Sequence, residues 1–231
     1  MFYPFFDPTY ILVIIGVILS LGASAMVKST FAKYNRVRSL SGMTGAQAAE
    51  RILHSAGIYD VSVQHVSGNL TDHYDPRDKT LKLSDNVYGQ TSVAAIGVAA
   101  HECGHAIQHD KGYVPLRLRT AFVPVANIGA TVSWPLIIIG IFLGYSQTLI
   151  NLGIILFSCA VLFQLITLPV ELNASARAVK ILDETGILYG EEVTHTKKVL
   201  SAAALTYVAA AAASILQLLR LFILFGGRDR D

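Results

Sequence analysis

The sequence predicts a mainly α-helical membrane protein with about four transmembrane helices and one small cytoplasmic α+β domain. The chain of 231 residues is 53% hydrophobic and only 15% charged, which is too apolar for an ordinary soluble domain. Its apolar residues are gathered into runs long enough to cross a hydrocarbon layer of about 30 Å. Between the first and second runs the composition is that of a folded soluble domain.

The net charge bears on the expected partners, and the cysteine content on the expected disulfides. The formal net charge of +2 argues against nucleic acid as a partner, whereas the apolar runs predict contact with membrane lipid. The two cysteines, Cys103 and Cys159, are expected to be buried thiols rather than a disulfide.

The first apolar run, residues 10–27, predicts an N-terminal transmembrane anchor. Asp7 precedes it, and its first basic neighbours, Lys28 and Lys33, follow it. A signal peptide has the opposite charge order, so an uncleaved anchor is expected. The positive-inside rule then predicts an outside N-terminus and a cytoplasmic domain over residues 28–120, in the plasma membrane of a bacterium.

Within residues 28–120, local signals predict a short α+β fold. Thr44 is placed to cap a helix that runs to about Ser55 and ends at Gly57. Alternation over residues 60–66 predicts a strand, in which His65 is expected to be structural although it could be a ligand.

A hairpin and a capped helix are predicted next. The turn sequence Asp-Pro-Arg-Asp within residues 70–83 indicates the hairpin, with Leu81 and Leu83 facing the core. Ser92, or Thr91 before it, then caps the following helix.

Three further apolar segments complete the predicted membrane part. Residues 121–168 predict a transmembrane hairpin, whose first arm kinks or starts late because it contains Pro124 and Pro135. Residues 169–198 predict a cytoplasmic helix followed by a connection, and residues 199–225 a C-terminal span. Arg220 lies inside that last run and is expected to snorkel to the outer interface.

The sequence His101-Glu102-Cys103-Gly104-His105 carries the chemistry of the predicted helix after Ser92. Positions i and i+4 share a helix face, so the two imidazoles can bind one metal ion while Glu102 accepts a proton from bound water. Zinc suits these ligands, because it takes imidazole nitrogen and lowers the pKa of bound water. Two surface histidines are the alternative, but the apolar residues before His101 make it costly to bury such groups without partners.

A catalytic zinc ion needs a third protein ligand. His109 is excluded by geometry, since it lies about 12 Å from His101 along a helix that rises 1.5 Å per residue. Glu171 directly follows the third apolar run and is predicted on the same membrane side. On the residues alone it is either a ligand or a carboxylate stabilised by the helix dipole.

The sequence resembles the YugP-like family of membrane-embedded neutral zinc metallopeptidases and, more distantly, the HtpX-type membrane gluzincins. The resemblance covers nearly the whole chain and depends on these segments together: the N-terminal anchor, Asp72-His73-Tyr74-Asp75-Pro76, Leu81-Lys82-Leu83-Ser84, His101 to Gln108, Glu171-x-Asn173-Ala174 and Ala204 to Ala210.

The resemblance implies a zincin-like catalytic domain with one zinc ion per chain, bound by His101, His105 and Glu171. Gluzincins often carry an Asp four residues after the ligand Glu, where this chain has Ser175. A residue that orients a ligand histidine is still expected, and Ser175, Asn173 and Arg177 are candidates for supporting or substrate-contacting roles.

The predicted activity is therefore zinc-dependent hydrolysis of a peptide or protein substrate, with Glu102 as general base. The family favours Tyr207 as the donor to the developing oxyanion, and Arg177 and His195 are alternatives. The strand containing Leu81, Lys82 and Leu83 is expected to pair with an extended substrate. Two other readings are an intramembrane site-2-type protease and a non-catalytic metal-binding membrane scaffold.

Overall fold

The computed structural model describes residues 7–226, and these residues divide into two compact units. Residues 7–23, 118–168 and 206–226 belong to the first unit, and residues 24–117 and 169–205 to the second. Among the described residues, the elements in chain order are α1 (Tyr10–Tyr34), α2 (Gly45–Ser55), β1 (Ser62–His65), β2 (His73–Asp75), β3 (Thr80–Leu83), α3 (Val93–Asp110), α4 (Val114–Phe142), α5 (Gln147–Glu184) and α6 (Glu191–Phe225).

Within residues 7–226, four helices are long and apolar enough to cross a membrane, namely α1, α4, α5 and α6. In the first unit α4, α5 and α6 bury a small apolar core, and all four helices expose many large aliphatic side chains. The α4–α5 hairpin packs closely at Gly153, where a Cβ would lie 2.8 Å from the Ser133 carbonyl oxygen. Exposed aliphatic side chains on such helices suit contact with lipid rather than water.

An ion pair inside the first unit neutralises the charge of Arg220. Its Nη2 lies 3.5 Å from Asp7 Oδ2, and its Nε donates to Thr9 Oγ1 at 3.2 Å. The guanidinium also lies over the Tyr10 ring, 4.2 Å from the centroid. Arg220 is therefore held beside the N-terminal end of α1, where it has a carboxylate partner, and its position at the outer interface stays a prediction.

The helix ends differ from the predicted bounds. Helix α4 begins at Val114, before the predicted residue 121, and continues through Pro124 and Pro135. Helix α5 continues through Pro169 to Glu184, so the second hairpin arm and the helix predicted after it are one element.

The second unit is built around α2, α3 and a three-stranded sheet. Thr44 and Gln47 form a reciprocal capping box at the start of α2, as the Thr44 cap predicts, and Gly57 follows its end with a φ of +78°. The sheet order is β1-β3-β2, with β1 parallel and β2 antiparallel to β3. The predicted hairpin is therefore confirmed.

Strand β3 occupies the centre of this sheet, and this position corrects one expectation. Both of its edges are hydrogen-bonded, to β1 on one side and to β2 on the other. Leu81 and Leu83 are fully buried, and Lys82 is half-buried. A strand that is paired on both sides has no edge left for a substrate, so the prediction that Leu81, Lys82 and Leu83 pair with substrate is wrong.

Helix α3 carries the metal motif through the centre of the second unit. Ser92 caps it by accepting from the Ala95 N–H at 3.1 Å, which decides between the two predicted caps. Val93, Ala94, Ala95 and Ile96 are completely buried against the core. A firmly packed first half therefore fixes the position of the functional residues in the second half of the helix.

Candidate metal centre

Three side chains from two helices converge in the second unit. Helix α3 presents His101 and His105 one turn apart, with ring centroids separated by 4.8 Å and ring planes at 86°. Helix α5 supplies Glu171, whose Oε2 lies 3.3 Å from His101 Nε2 and 3.5 Å from His105 Nε2. Their candidate ligand atoms all lie within 4.8 Å of one another.

Close backbone packing at Gly104 allows this convergence. A Cβ at Gly104 would lie 2.6 Å from the Ala174 carbonyl oxygen and 3.1 Å from the Ala174 Cα. These distances are shorter than van der Waals contact, so only glycine permits the observed approach. The contact lies one residue before His105 on α3 and three residues after Glu171 on α5.

The second ring nitrogen of each histidine contacts the protein. His101 Nδ1 lies 3.1 Å from Ser175 Oγ, and His105 Nδ1 lies 3.0 Å from Gln108 Oε1. Partners at Nδ1 leave the two Nε2 atoms facing Glu171, as is common for metal-binding histidines. The sequence left the partner of a ligand histidine open between several groups, and Ser175 is the one of them that lies next to His101.

Glu102 is held beside this cluster by the sheet. The residue is 8% exposed, and its Oε2 accepts a hydrogen bond from the Tyr74 backbone N–H at 3.0 Å. The Tyr74 hydroxyl lies 2.8 Å from His109 Nδ1. Tyr74 thereby joins β2 to α3 at two points, through its backbone at Glu102 and through its hydroxyl at His109.

The surroundings raise the pKa values of three residues in and beside the cluster. Burial lowers the pKa of His105, but the hydrogen bond that it donates to Glu171 and the nearby Glu102 charge outweigh burial, so that this pKa is raised overall. Burial, together with the charge of Asp60, raises the pKa of Tyr74 to about 12. Burial also raises the pKa of the Cys103 thiol, which makes it a poor nucleophile.

Comparison with known proteins agrees with this geometry. The profile of a family described as "Putative neutral zinc metallopeptidase" matches residues 9–226. The chain belongs to this family. It is also 52% identical over 214 residues to the "Putative membrane protease YugP" of Bacillus subtilis (strain 168), covering 92% of this chain and 95% of that protein. No solved structure matches the chain.

The donor set fits the zinc ion that membership of this family implies. Two imidazole nitrogens and one carboxylate oxygen are ligands that zinc takes in catalytic sites, where a fourth position stays open for water or substrate. The two histidine side chains are 15% and 11% exposed and Glu171 is 3% exposed. A largely dehydrated donor set of this kind favours a bound cation.

The other predicted site residues have varied surroundings. Asn173 Oδ1 accepts from Arg177 Nε at 2.7 Å, and the Arg177 guanidinium lies 5.9 Å from the centroid of the Tyr113 ring. The His195 ring packs against Tyr34, with centroids 4.7 Å apart. Tyr207 belongs to the first unit, and its role as an oxyanion donor stays a prediction.

Two residues of the site were missed in the analysis of the sequence, Gln108 and Tyr74. Gln108 lies three positions after His105 on the same helix and is completely buried. A polar residue at that spacing from a ligand histidine is a usable signal, since i and i+3 share a face. Tyr74 contacts Glu102 through its backbone, 28 residues away, and its side-chain type gives no hint of that contact.

Proposed function

We propose that this protein is a membrane-anchored, zinc-dependent endopeptidase that binds one zinc ion through His101, His105 and Glu171. The observation that carries the proposal is the convergence of His101 Nε2 and His105 Nε2 on Glu171 Oε2, at 3.3 and 3.5 Å. The family assignment supports the same chemistry. A peptide or protein chain is the substrate class that follows.

Glu102 is proposed as the general base and, later, the general acid. A bound zinc ion would polarise the scissile carbonyl and lower the pKa of the attacking water. Glu102 would accept the proton of that water and pass it to the leaving amine. The Tyr74 N–H donates to one carboxylate oxygen of Glu102, which leaves the other oxygen to accept and then donate the proton.

The buried position of the cluster also serves the reaction. Glu171 and Glu102 are almost completely buried, so few water molecules compete for their lone pairs. In such surroundings charge–charge interactions are stronger than in bulk water.

Tyr207 is proposed as the donor that stabilises the oxyanion, as family resemblance suggests.

The two other readings from the sequence have less support. Within residues 7–226, the four helices that are long and apolar enough to cross a membrane do not include α3, which carries both histidines. This weighs against an intramembrane site-2-type protease. A non-catalytic metal site would need no carboxylate beside its ligands, whereas Glu102 is fixed there by a hydrogen bond.

The direct test replaces Glu102 with Gln, which retains an oxygen that can accept from the Tyr74 N–H. We expect Glu102→Gln to retain zinc and to lose about 10²–10⁴-fold in kcat, the usual contribution of a general base. The exposed Glu50 on α2 provides the control variant Glu50→Gln, which should cleave an unfolded peptide at the wild-type rate. A fully active Glu102→Gln protein would overturn the assignment of the base.

A further inference from the structure

Gln108 is completely buried, yet its side-chain amide is fully engaged. Its Oε1 lies 3.0 Å from His105 Nδ1. Its Nε2 donates to the Val170 carbonyl oxygen at 2.8 Å and to Asn173 Oδ1 at 3.0 Å. One amide therefore connects a candidate zinc ligand on α3 to the turn of α5 that carries Glu171.

The orientation of this amide follows from what its neighbours can donate. A backbone carbonyl oxygen only accepts, so the Gln108 atom that faces Val170 must be the NH₂ group. The carbonyl oxygen of the amide then faces His105, and Nδ1 must carry the proton in that contact. His105 Nε2, the other ring nitrogen, then faces Glu171 Oε2 at 3.5 Å and is the atom that would bind a metal ion.

A cation fixes the far end of the same hydrogen-bond chain. Arg177 Nε donates to Asn173 Oδ1 at 2.7 Å, and a guanidinium cannot accept a hydrogen bond. Asn173 must therefore present its oxygen to both Arg177 and Gln108. Every bond from Arg177 through Asn173 and Gln108 to His105 thus has a single allowed direction.

His101 lacks such a restraint. Its Nδ1 contacts Ser175 Oγ, and a hydroxyl can either donate or accept. That contact is compatible with either tautomer of His101. The two candidate ligand histidines therefore differ in how firmly the protein fixes their tautomers.

We propose that Gln108 is a positioning residue that presets His105 for zinc, by accepting from Nδ1 and so holding the ring with Nε2 directed at Glu171. Asn173 and Arg177 hold Gln108 in the orientation that this requires. The inference rests on the zinc site proposed above. It assigns Gln108 a role in metal affinity that is separate from its contribution to packing.

Two substitutions separate positioning from packing. Gln108→Met removes all hydrogen bonds at similar volume, whereas Gln108→Glu keeps an oxygen that accepts from His105 Nδ1 but places a carboxylate against the Val170 carbonyl oxygen. Zinc affinity is measured by competition with a chelator, and stability by thermal unfolding of the metal-free protein in detergent. Both readouts are independent of peptidase activity.

We expect the two variants to rank in opposite order in zinc affinity and in the stability of the metal-free protein. Gln108→Met should bind zinc about 10–100-fold more weakly than wild type, as is typical for loss of a partner of a ligand histidine. Gln108→Glu should bind zinc within a few fold of wild type, although its metal-free form should be the less stable of the two variants. Equal weakening in both variants, or weakening that follows the loss of stability, would overturn the proposal.

Arg177 provides a second test that alters neither a zinc ligand nor Gln108. Arg177→Met should weaken zinc binding by less than Gln108→Met, and Arg177→Lys, which retains a donor for Asn173, should restore it. Full zinc affinity in Gln108→Met beside a zinc-binding wild type would refute the positioning role alone. Absence of zinc from the wild type would refute the zinc site and this inference together.

Discussion

Gly104 shows how strongly one residue determines the geometry of the candidate zinc site. It is the only residue type that lets α3 approach the Ala174 carbonyl oxygen on α5 at the observed distance. His105 is its chain neighbour, and Glu171 lies one helical turn before Ala174. Any separation of the two helices at this contact moves the carboxylate away from the imidazoles.

We therefore predict that Gly104→Ala lowers both stability and zinc affinity. The added Cβ would force the helices apart at a cost of about 1–3 kcal/mol, as for other overpacked cores. Thermal unfolding and chelator competition measure the two effects. Gly89→Ala is the matched control, because no atom lies within 4 Å of its added Cβ; a Gly104→Ala protein with unchanged zinc affinity would contradict this account.

Local spacing explains which site residues could be predicted. His101 and His105 are spaced i, i+4 on one helix with Glu102 next to the first, so the sequence alone makes them candidates. Gln108 bonds to Val170, 62 residues away, and nothing in its neighbourhood reveals that partner. Glu171 lies between these cases, because its position after an apolar run is visible but its distance from the imidazoles is not.

Among the helices of the first unit, α1 and α6 are joined by the pair of Asp7 and Arg220. Both side chains are mostly removed from solvent, with 16% and 13% of their surfaces exposed. Removing one partner of such a pair leaves the other charge without compensation, which is more costly than removing both.

A double-mutant cycle should reveal this coupling. Asp7→Asn and Arg220→Met should each lower the free energy of unfolding, and the double variant should lose less than their sum. Unfolding in detergent micelles measures all four proteins of the cycle. Strictly additive losses would show that the ion pair does not stabilise the contact between the helices.

Helix boundaries illustrate a limit of prediction at the scale of elements. Hydropathy marks the apolar part of a helix, but a helix can continue in polar sequence while its hydrogen bonds are satisfied. Helix α6 accordingly begins at Glu191, before the predicted residue 199. Caps are local signals, so Thr44 was predicted at the correct position and Ser92 was one of the two positions predicted for α3.

For the whole molecule, four apolar helices among residues 7–226 and a homologue described as a membrane protease support a membrane protein. Its orientation is our proposal, with the N-terminus outside and the metal centre on the cytoplasmic side. The basis is the distribution of basic residues, since Lys28, Lys33, Arg117 and Arg119 flank segments proposed to be cytoplasmic.

Thiol labelling tests this orientation. Lys111, at the end of α3, and Thr148, at the start of α5, are both exposed. In intact bacterial cells, a membrane-impermeant maleimide should label Thr148→Cys, and Lys111→Cys only after permeabilisation. Wild-type protein provides the background from Cys103 and Cys159; the reverse labelling pattern would contradict the proposed orientation.

The general architecture could be predicted from the sequence, whereas the order of the strands could not. Composition and hydropathy indicate membrane helices with a small α+β domain, because both depend on local sequence. The order β1-β3-β2 depends on pairing between separated strands, and it placed the strand expected at the edge in the centre of the sheet. The lost edge at Leu81, Lys82 and Leu83 follows from that topology.

The central claim is a zinc site formed by His101, His105 and Glu171, and metal content tests it most directly. Elemental analysis of protein purified without chelators should find close to one zinc per chain in wild type and much less in Glu171→Gln. The exposed Glu184, on the same helix, supplies the control Glu184→Gln, which should retain wild-type zinc. Equal zinc in Glu171→Gln and wild type, or no zinc in the wild type, would contradict the account.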